Sequence, residues 1–265
     1  MTILHIKRAI LWVFELTKTL IGFWVKNPLE TPAVIRFLLN KLSSVPRFMS
    51  KNVLTENHQE QFKYQLLRTK EIYKKLKSKF KLDNQKSYTL LSKHLGNRSQ
   101  LLYFIIRATR PGVVVETGVA SGESTGYILQ AIKDNGSGKL YSIDFPFQWY
   151  IYGNHELHLD SLPYGKMPGY LVLEELKVNW KLIIGNTYQE LPKLLKKLKV
   201  IDVFIHDSEH THKTMMFEYE SSWPHIDKAG YLLSDDIHHT IAFQEFAKKH
   251  KKTILYFTTL GIIHK

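Results

Sequence analysis

The sequence predicts an α/β protein: a doubly wound sheet of about seven strands, mostly parallel with an antiparallel last strand, preceded by an N-terminal helical extension. Three observations predict it. From Gly112 onward, short apolar runs alternate with amphipathic helical stretches, the pattern of a parallel sheet with helices on both faces. The stretch 113–125, VVVETGVASGEST, reads as a buried strand, a glycine-rich turn and an opening helix. Such a turn brings bare backbone N–H groups and a helix N-terminus against a polar ligand. Finally, 265 residues that are 44% apolar and include five Trp suffice for a sizeable core and exclude a disordered chain.

Charge divides the chain. Residues 1–110 carry 21 Lys and Arg against 6 Asp and Glu, whereas residues 111–265 carry 16 against 18. The net charge of +13 therefore sits wholly in the N-terminal part. That points to an anionic partner there, a membrane surface or nucleic acid, or else to a solvated basic helical face. There is no Cys, which rules out a disulfide framework, a thiolate metal site and a Cys nucleophile, and fits a cytoplasmic protein.

Residues 3–25 are apolar but interrupted by Lys7, Arg8, Glu15 and Lys18. Their longest uncharged runs, 9–14 and 20–25, fall short of the ~20 residues that cross a bilayer. No long apolar core leads to a small-residue cleavage site, so a secretory signal is not expected. On a helix, Lys7, Arg8, Glu15, Lys18 and Lys26 share an arc of about 100°, opposite Trp12, Leu16, Leu20, Phe23 and Trp24. This suits a helix lying in an anionic membrane interface, peripheral at the inner face. It equally suits a helix packed on its own domain or on a second subunit of a homo-oligomer. The expected organisation is an amphipathic helix over 1–26, a basic helical extension over 27–87 and an α/β domain over 88–265. Within the extension, Pro28, Pro32 and Pro46 break the pattern, and 59–81 reads as a long helix ending in KKLKSKFK.

A helical stretch over 88–109 leads into the domain. Strands follow at 112–117, 139–144, 181–185, 201–206, 230–234, 253–258 and 261–264, with helices at 123–133, 187–198, 212–221 and 240–250. The short connection 257–261 predicts a terminal hairpin. In such sheets ligands bind at the C-terminal strand ends, and the residues there are polar. The first strand ends in Glu116 and the glycine turn, the second in Asp144, the third in Gly185-Asn186. The fourth runs into His206-Asp207-Ser208-Glu209-His210 and the fifth into Asp235-Asp236. An acid at the second strand end can accept both ribose hydroxyls of a nucleoside. The turn spacing E-x-G-x-x-x-G departs from the dinucleotide pattern G-x-G-x-x-G, and no G-K-[ST] follows, so a P-loop is excluded.

With these motifs the chain resembles the Rossmann-like class I S-adenosylmethionine-dependent methyltransferases. ETGVASGEST is similar to their first motif and YSID to their second, while FIHDSEH and YLLSDDI are similar to the ends of their fourth and fifth strands. The likeness is to the macrocin-type and catechol-type O-methyltransferase-like branch and spans residues 88–265. It implies S-adenosyl-L-methionine as cofactor. Gly118 and Gly122 would let the backbone approach the methionine moiety, with Glu116 near its amino group and Ser121 or Ser124 near its carboxylate. Asp144 would hold the ribose, Asn186 would face the adenine edge, and Asp207 would border the cofactor. Some relatives bind a divalent cation, and the matching metal residues here are Asp207, Asp235 and Asp236, a carboxylate set suited to Mg²⁺. The counter-reading is that Asp207 caps a helix and Asp235-Asp236 ends a strand.

The catalytic candidates are His210, as general base, and Asp207. Residues 145–180 form an aromatic-rich excursion too long for a plain connection, suited to an acceptor pocket, a lid or dimer contacts. The expected function is O-methylation of a hydroxyl on a small-molecule or glycan-type acceptor, with metal assistance left open. RNA methylation through the basic N-terminal part is an alternative. Against it, HDSEH stands where amino-methylating nucleic-acid enzymes carry Asn/Asp-Pro-Pro-aromatic. A non-catalytic, membrane-associated cofactor-binding scaffold is a further alternative.

Overall fold

The computed structural model describes residues 55–77, 94–145, 149–151, 157–159 and 166–265. The amphipathic segment 3–25 and the breaks at Pro28, Pro32 and Pro46 lie outside the described residues. Two compact units divide the chain, residues 1–58 with 146–167 and residues 59–145 with 168–265.

The strands in chain order are β1 (Val113–Thr117), β2 (Lys139–Asp144), β3 (Trp149–Ile151), β4 (Leu157–Leu159), β5 (Trp180–Ile184), β6 (Ile201–His206), β7 (Ile226–Ser234), β8 (Leu255–Phe257) and β9 (Leu260–His264). In the first unit, β3 and β4 form an antiparallel pair, with Tyr150 opposite His158. Within the excursion expected to form a pocket or lid, residues 146–148, 152–156 and 160–165 lie outside those described.

The second unit holds a seven-stranded sheet of order β5-β2-β1-β6-β7-β9-β8. Pairing is parallel from β5 through β7, and β9 runs antiparallel to both β7 and β8. This is the expected topology, including the terminal hairpin. Among the described residues the helices are α1 (Thr55–Leu76), α2 (Arg98–Thr109), α3 (Glu123–Asn135), α4 (Thr187–Leu198), α5 (His212–Ser222) and α6 (Ala242–Lys249). None of them is long and apolar enough to cross a membrane.

Strand alternation builds the two cores. Side chains along a strand point to opposite faces in turn. Val114 of β1 thus packs with Leu101, Phe104, Tyr127 and Ile128 of α2 and α3, and Val115 packs with Leu191, Leu195, Met215 and Phe243 of α4, α5 and α6. The sheet is covered on both sides, which explains why its central strands are nearly all apolar.

Helix ends follow local chemistry. Asn97 caps α2 by accepting from the Gln100 backbone N–H at 3.0 Å. Thr211 caps α5, accepting from Thr214 N–H at 3.2 Å, and Gly136 closes α3 in the left-handed conformation. Each cap satisfies backbone groups the helix cannot pair itself.

α1 shares the core of the domain. Phe62 meets Tyr127 edge-on with ring centroids 5.6 Å apart, Gln100 Nε2 donates to Thr69 Oγ1 at 3.0 Å, and Lys70 pairs with Asp134 at 3.0 Å. The boundary expected at residue 88 thus lies beyond a helix that packs with α2 and α3. β7 also begins earlier than the expected 230. Ile226 pairs with Ile201 across a register shift before Val203, and the exposed run Asp227–Ala229 hides this start from an apolar pattern.

Candidate active site

The chain steps outward from β1 to β2 and β5, then returns to β6 beside β1. The reversal puts a crevice beyond the C-terminal ends of β1 and β6. Backbone bonds carry the sheet's ladder into the loops there. Gly118 N–H donates to Ile143 O at 2.9 Å, Asp207 N–H to Thr117 O at 2.8 Å, and Asp235 N–H to His206 O at 2.9 Å. The glycine turn, Asp207 and Asp235 therefore stand side by side.

The two turn glycines are required by close approach of the protein's own backbone. At Gly118 (φ +82°) an added Cβ would lie 1.9 Å from the Asp207 carbonyl oxygen. At Gly122 (φ +88°) it would lie 2.6 Å from Gly169 Cα. The segment after residue 168 docks on this turn through Gly169 N–H to Ala120 O and Leu171 N–H to Ser121 O, both 2.9 Å. Sequence reasoning missed this docking, and no local signal marks it. From the other side, Asp144 Oδ2 accepts the N–H groups of Val119 at 2.7 Å and Ala120 at 2.8 Å. Asp144 thus fixes the turn's conformation in addition to facing the crevice end of β2.

Glu116, expected near the cofactor's amino group, is turned into the protein. It is fully buried, and its carboxyl accepts from Ser142 Oγ at 2.8 Å, Thr125 Oγ1 at 2.9 Å and Ser124 Oγ at 3.3 Å. Burial pushes this carboxyl up to about 8, against the opposing pull of the three hydroxyls. Glu116 braces the turn from behind, and the Ser124 hydroxyl is spent on it. Asn186 caps α4, its Oδ1 accepting from Tyr188 N–H at 2.9 Å.

His210, the expected general base, lies beside two of the acids. Its Nε2 lies 3.7 Å from Asp236 Oδ2 and 3.9 Å from Asp207 Oδ1, within electrostatic reach but beyond a hydrogen bond. Burial first, then the neighbouring His206, lowers the His210 imidazole to about 4, with Asp236 pulling the other way. His210 is therefore neutral at physiological pH. Its ring also meets His206 and His239 edge-on, with centroids 5.3 and 5.5 Å away.

The expected metal trio is corrected by Arg98, at the start of α2. Its Nη2 lies 3.3 Å from Asp207 Oδ2, and its Nη1 pairs with Asp235 Oδ2. Asp235 is almost wholly buried and also accepts from Thr259 Oγ1 at 2.6 Å. A guanidinium already stands between two of the three carboxylates, and a divalent cation placed there would meet a like charge. The trio in this arrangement does not fit a metal ion. Asp236, in the left-handed region (φ 48°), groups instead with His238 and His239, their ligand atoms within 4.8 Å of one another. Nor does Asp207 cap a helix, since Thr211 caps α5. Arg98 carried no sequence signal beyond lying in the predicted helical stretch 88–109.

A family described as a methyltransferase domain matches residues 115–237. No curated protein matches the chain. Among solved structures, the crystal structure of CalS11, a calicheamicin methyltransferase, is similar at TM-score 0.54 and 15% identity, covering 79% of this chain and 91% of that one. The O-methyltransferase NovP is similar at TM-score 0.48 and 16% identity, covering 63% and 79%.

Proposed function

We propose that this chain, in which a family described as a methyltransferase domain matches residues 115–237, is a class I S-adenosylmethionine-dependent methyltransferase and methylates a hydroxyl of a small-molecule acceptor of glycan or sugar type. The observation that carries the reading is His210: a neutral imidazole between two carboxylates, at the strand ends beside the glycine turn. The name of CalS11, a calicheamicin methyltransferase, supports the acceptor class.

The 118–122 backbone and Asp207 would border the cofactor, with Asp144 at its ribose and Asn186 at its adenine edge. Two amide bonds to Asp144 Oδ2 do not exhaust the accepting capacity of a carboxylate. S-Adenosylmethionine, when bound, would supply an electrophilic methyl group on a sulfonium to the acceptor oxygen, sulfur keeping the electron pair of the broken bond. The hydroxyl proton passes to His210 Nε2, and the imidazolium so formed faces Asp207 and Asp236. No step is assigned to a metal.

Calorimetric titration with S-adenosylhomocysteine tests cofactor binding, and absence of binding overturns the proposal. A panel of hydroxylated sugars and aromatic compounds with labelled S-adenosylmethionine tests the acceptor class. Residues 3–25 are further proposed to lie in an anionic membrane interface. Liposome flotation of the full chain against one starting at Asn27 tests this, and equal flotation overturns it.

A further inference from the structure

Beneath the site, on α5, lies Glu218, fully buried and unused by the proposed chemistry. Its carboxyl accepts four hydrogen bonds. Oε2 takes Thr117 Oγ1 at 2.5 Å and His206 Nδ1 at 2.6 Å, and Oε1 takes Thr187 Oγ1 and Ser208 Oγ, both at 2.7 Å. Burial alone would raise this carboxyl. The charge and hydrogen bond of His206, with the Thr117 and Thr187 hydroxyls, outweigh burial and hold it below the usual range. An ionised carboxylate only accepts, so the His206 Nδ1 carries the shared proton.

The four donors are not arbitrary. Thr117 precedes Gly118, Thr187 follows Asn186, and His206 and Ser208 flank Asp207. The next residue of α5 extends the pattern, because Tyr219 OH bonds Ser234 Oγ at 2.6 Å and Ser234 precedes Asp235. We propose that Glu218 is the positioning residue of the crevice, tying the ends of β1 and β6 and the start of α4 to one buried carboxylate. Gly118, Asn186 and Asp207 then hold their spacing before a ligand arrives. The inference rests on the reading of this crevice as the S-adenosylmethionine site.

Physical reasoning favours positioning over general stability. A buried charge is costly and seldom outperforms a well-packed apolar side chain as a source of fold stability. Three segments far apart in sequence gain one shared reference point, and a preorganised site avoids ordering those loops on binding. Glu218 touches neither the turn backbone nor His210 by any hydrogen bond, so its effect on a ligand passes through its four donors.

The test is calorimetry with S-adenosylhomocysteine on the full chain, with thermal denaturation in parallel. Glu218→Gln keeps the shape but replaces one accepting oxygen by a donor. Thr187→Val removes a single tether and guards against a failure of the first variant to fold. Leu66→Ala, in the core that α1 builds, is the control for lost stability. Expected are at least tenfold weaker binding in Glu218→Gln, a smaller but measurable weakening in Thr187→Val, and wild-type affinity in Leu66→Ala. Wild-type binding that the Glu218 and Thr187 variants retain, or lose no more than Leu66→Ala does, overturns the inference alone. A wild-type chain that binds no S-adenosylhomocysteine overturns the reading of the crevice, and the inference with it.

Discussion

Gly118 and the carbonyl of Asp207 touch so closely that a Cβ on Gly118 would fall 1.9 Å from the oxygen. The loops after β1 and β6 meet at the point where the sheet reverses direction. This contact gives the glycine turn a role in assembling the site as well as in approaching a ligand.

Gly118→Ala is therefore expected to cost about 3 kcal/mol or more, combining a backbone clash with a left-handed φ. Gly136→Ala is the matched comparison, since Gly136 also has positive φ but nothing within 4 Å of an added Cβ. It should cost only about 1 kcal/mol. Urea denaturation of both variants checks this, and equal losses would show that the two loops do not touch.

Arg98→Met should leave Asp207 and Asp235 facing each other without a cation. A loss of about 2 kcal/mol is expected at pH 7, shrinking as acidification protonates the carboxylates. Removal of the guanidinium should also open the trio to a divalent ion. Mn²⁺ titration followed by electron paramagnetic resonance should show binding gained in Arg98→Met. Wild-type protein that already binds Mn²⁺ as tightly, with that binding lost in Asp235→Ala, would contradict the placement of Arg98.

The raised Glu116 carboxyl has a definite sign. Its ordinary value is 4.5 and its folded value about 8. Between these the folded chain holds a proton that the unfolded chain has lost, so this site's stability contribution falls as pH rises from about 4.5 to about 8. Glu116→Gln has no such proton to lose. The stability difference between variant and wild type should move in the variant's favour between pH 5 and pH 8.5. A difference that is constant across that range would refute the buried, protonated Glu116.

His210 should behave as a neutral imidazole through most of the accessible range. With its folded value lowered to about 4 by burial, its ring resonances, assigned by comparison with His210→Gln, should stay unmoved from pH 8 to pH 5. A midpoint near the ordinary 6.5 would mean the ring is solvated and free of His206.

Much of this architecture was legible in the sequence because it is written locally. Short continuous apolar runs located β1, β2 and β6, and the amphipathic stretches between them located the helices. Polar residues at strand ends located Asp144, Asp207, His210 and Asp236 once the strand order was known. What stayed hidden depends on distant pairing. Arg98 meets Asp207 across 109 positions, and nothing around Arg98 distinguishes it from other basic residues of its half. Glu218 sits in the middle of α5, where a Glu ordinarily reads as solvent-facing. The inward turn of Glu116 was equally hidden, since three hydroxyls from separate segments had to converge on it.

The central claim is that the crevice beyond β1, β2 and β6 takes S-adenosylmethionine. The most direct measurement is calorimetric titration of S-adenosylhomocysteine into the wild-type chain and into Asp144→Ala. One saturable site in the wild type, lost or much weakened in a folded Asp144→Ala, is the expected result. No binding to the wild type, or equal binding to both, would contradict it.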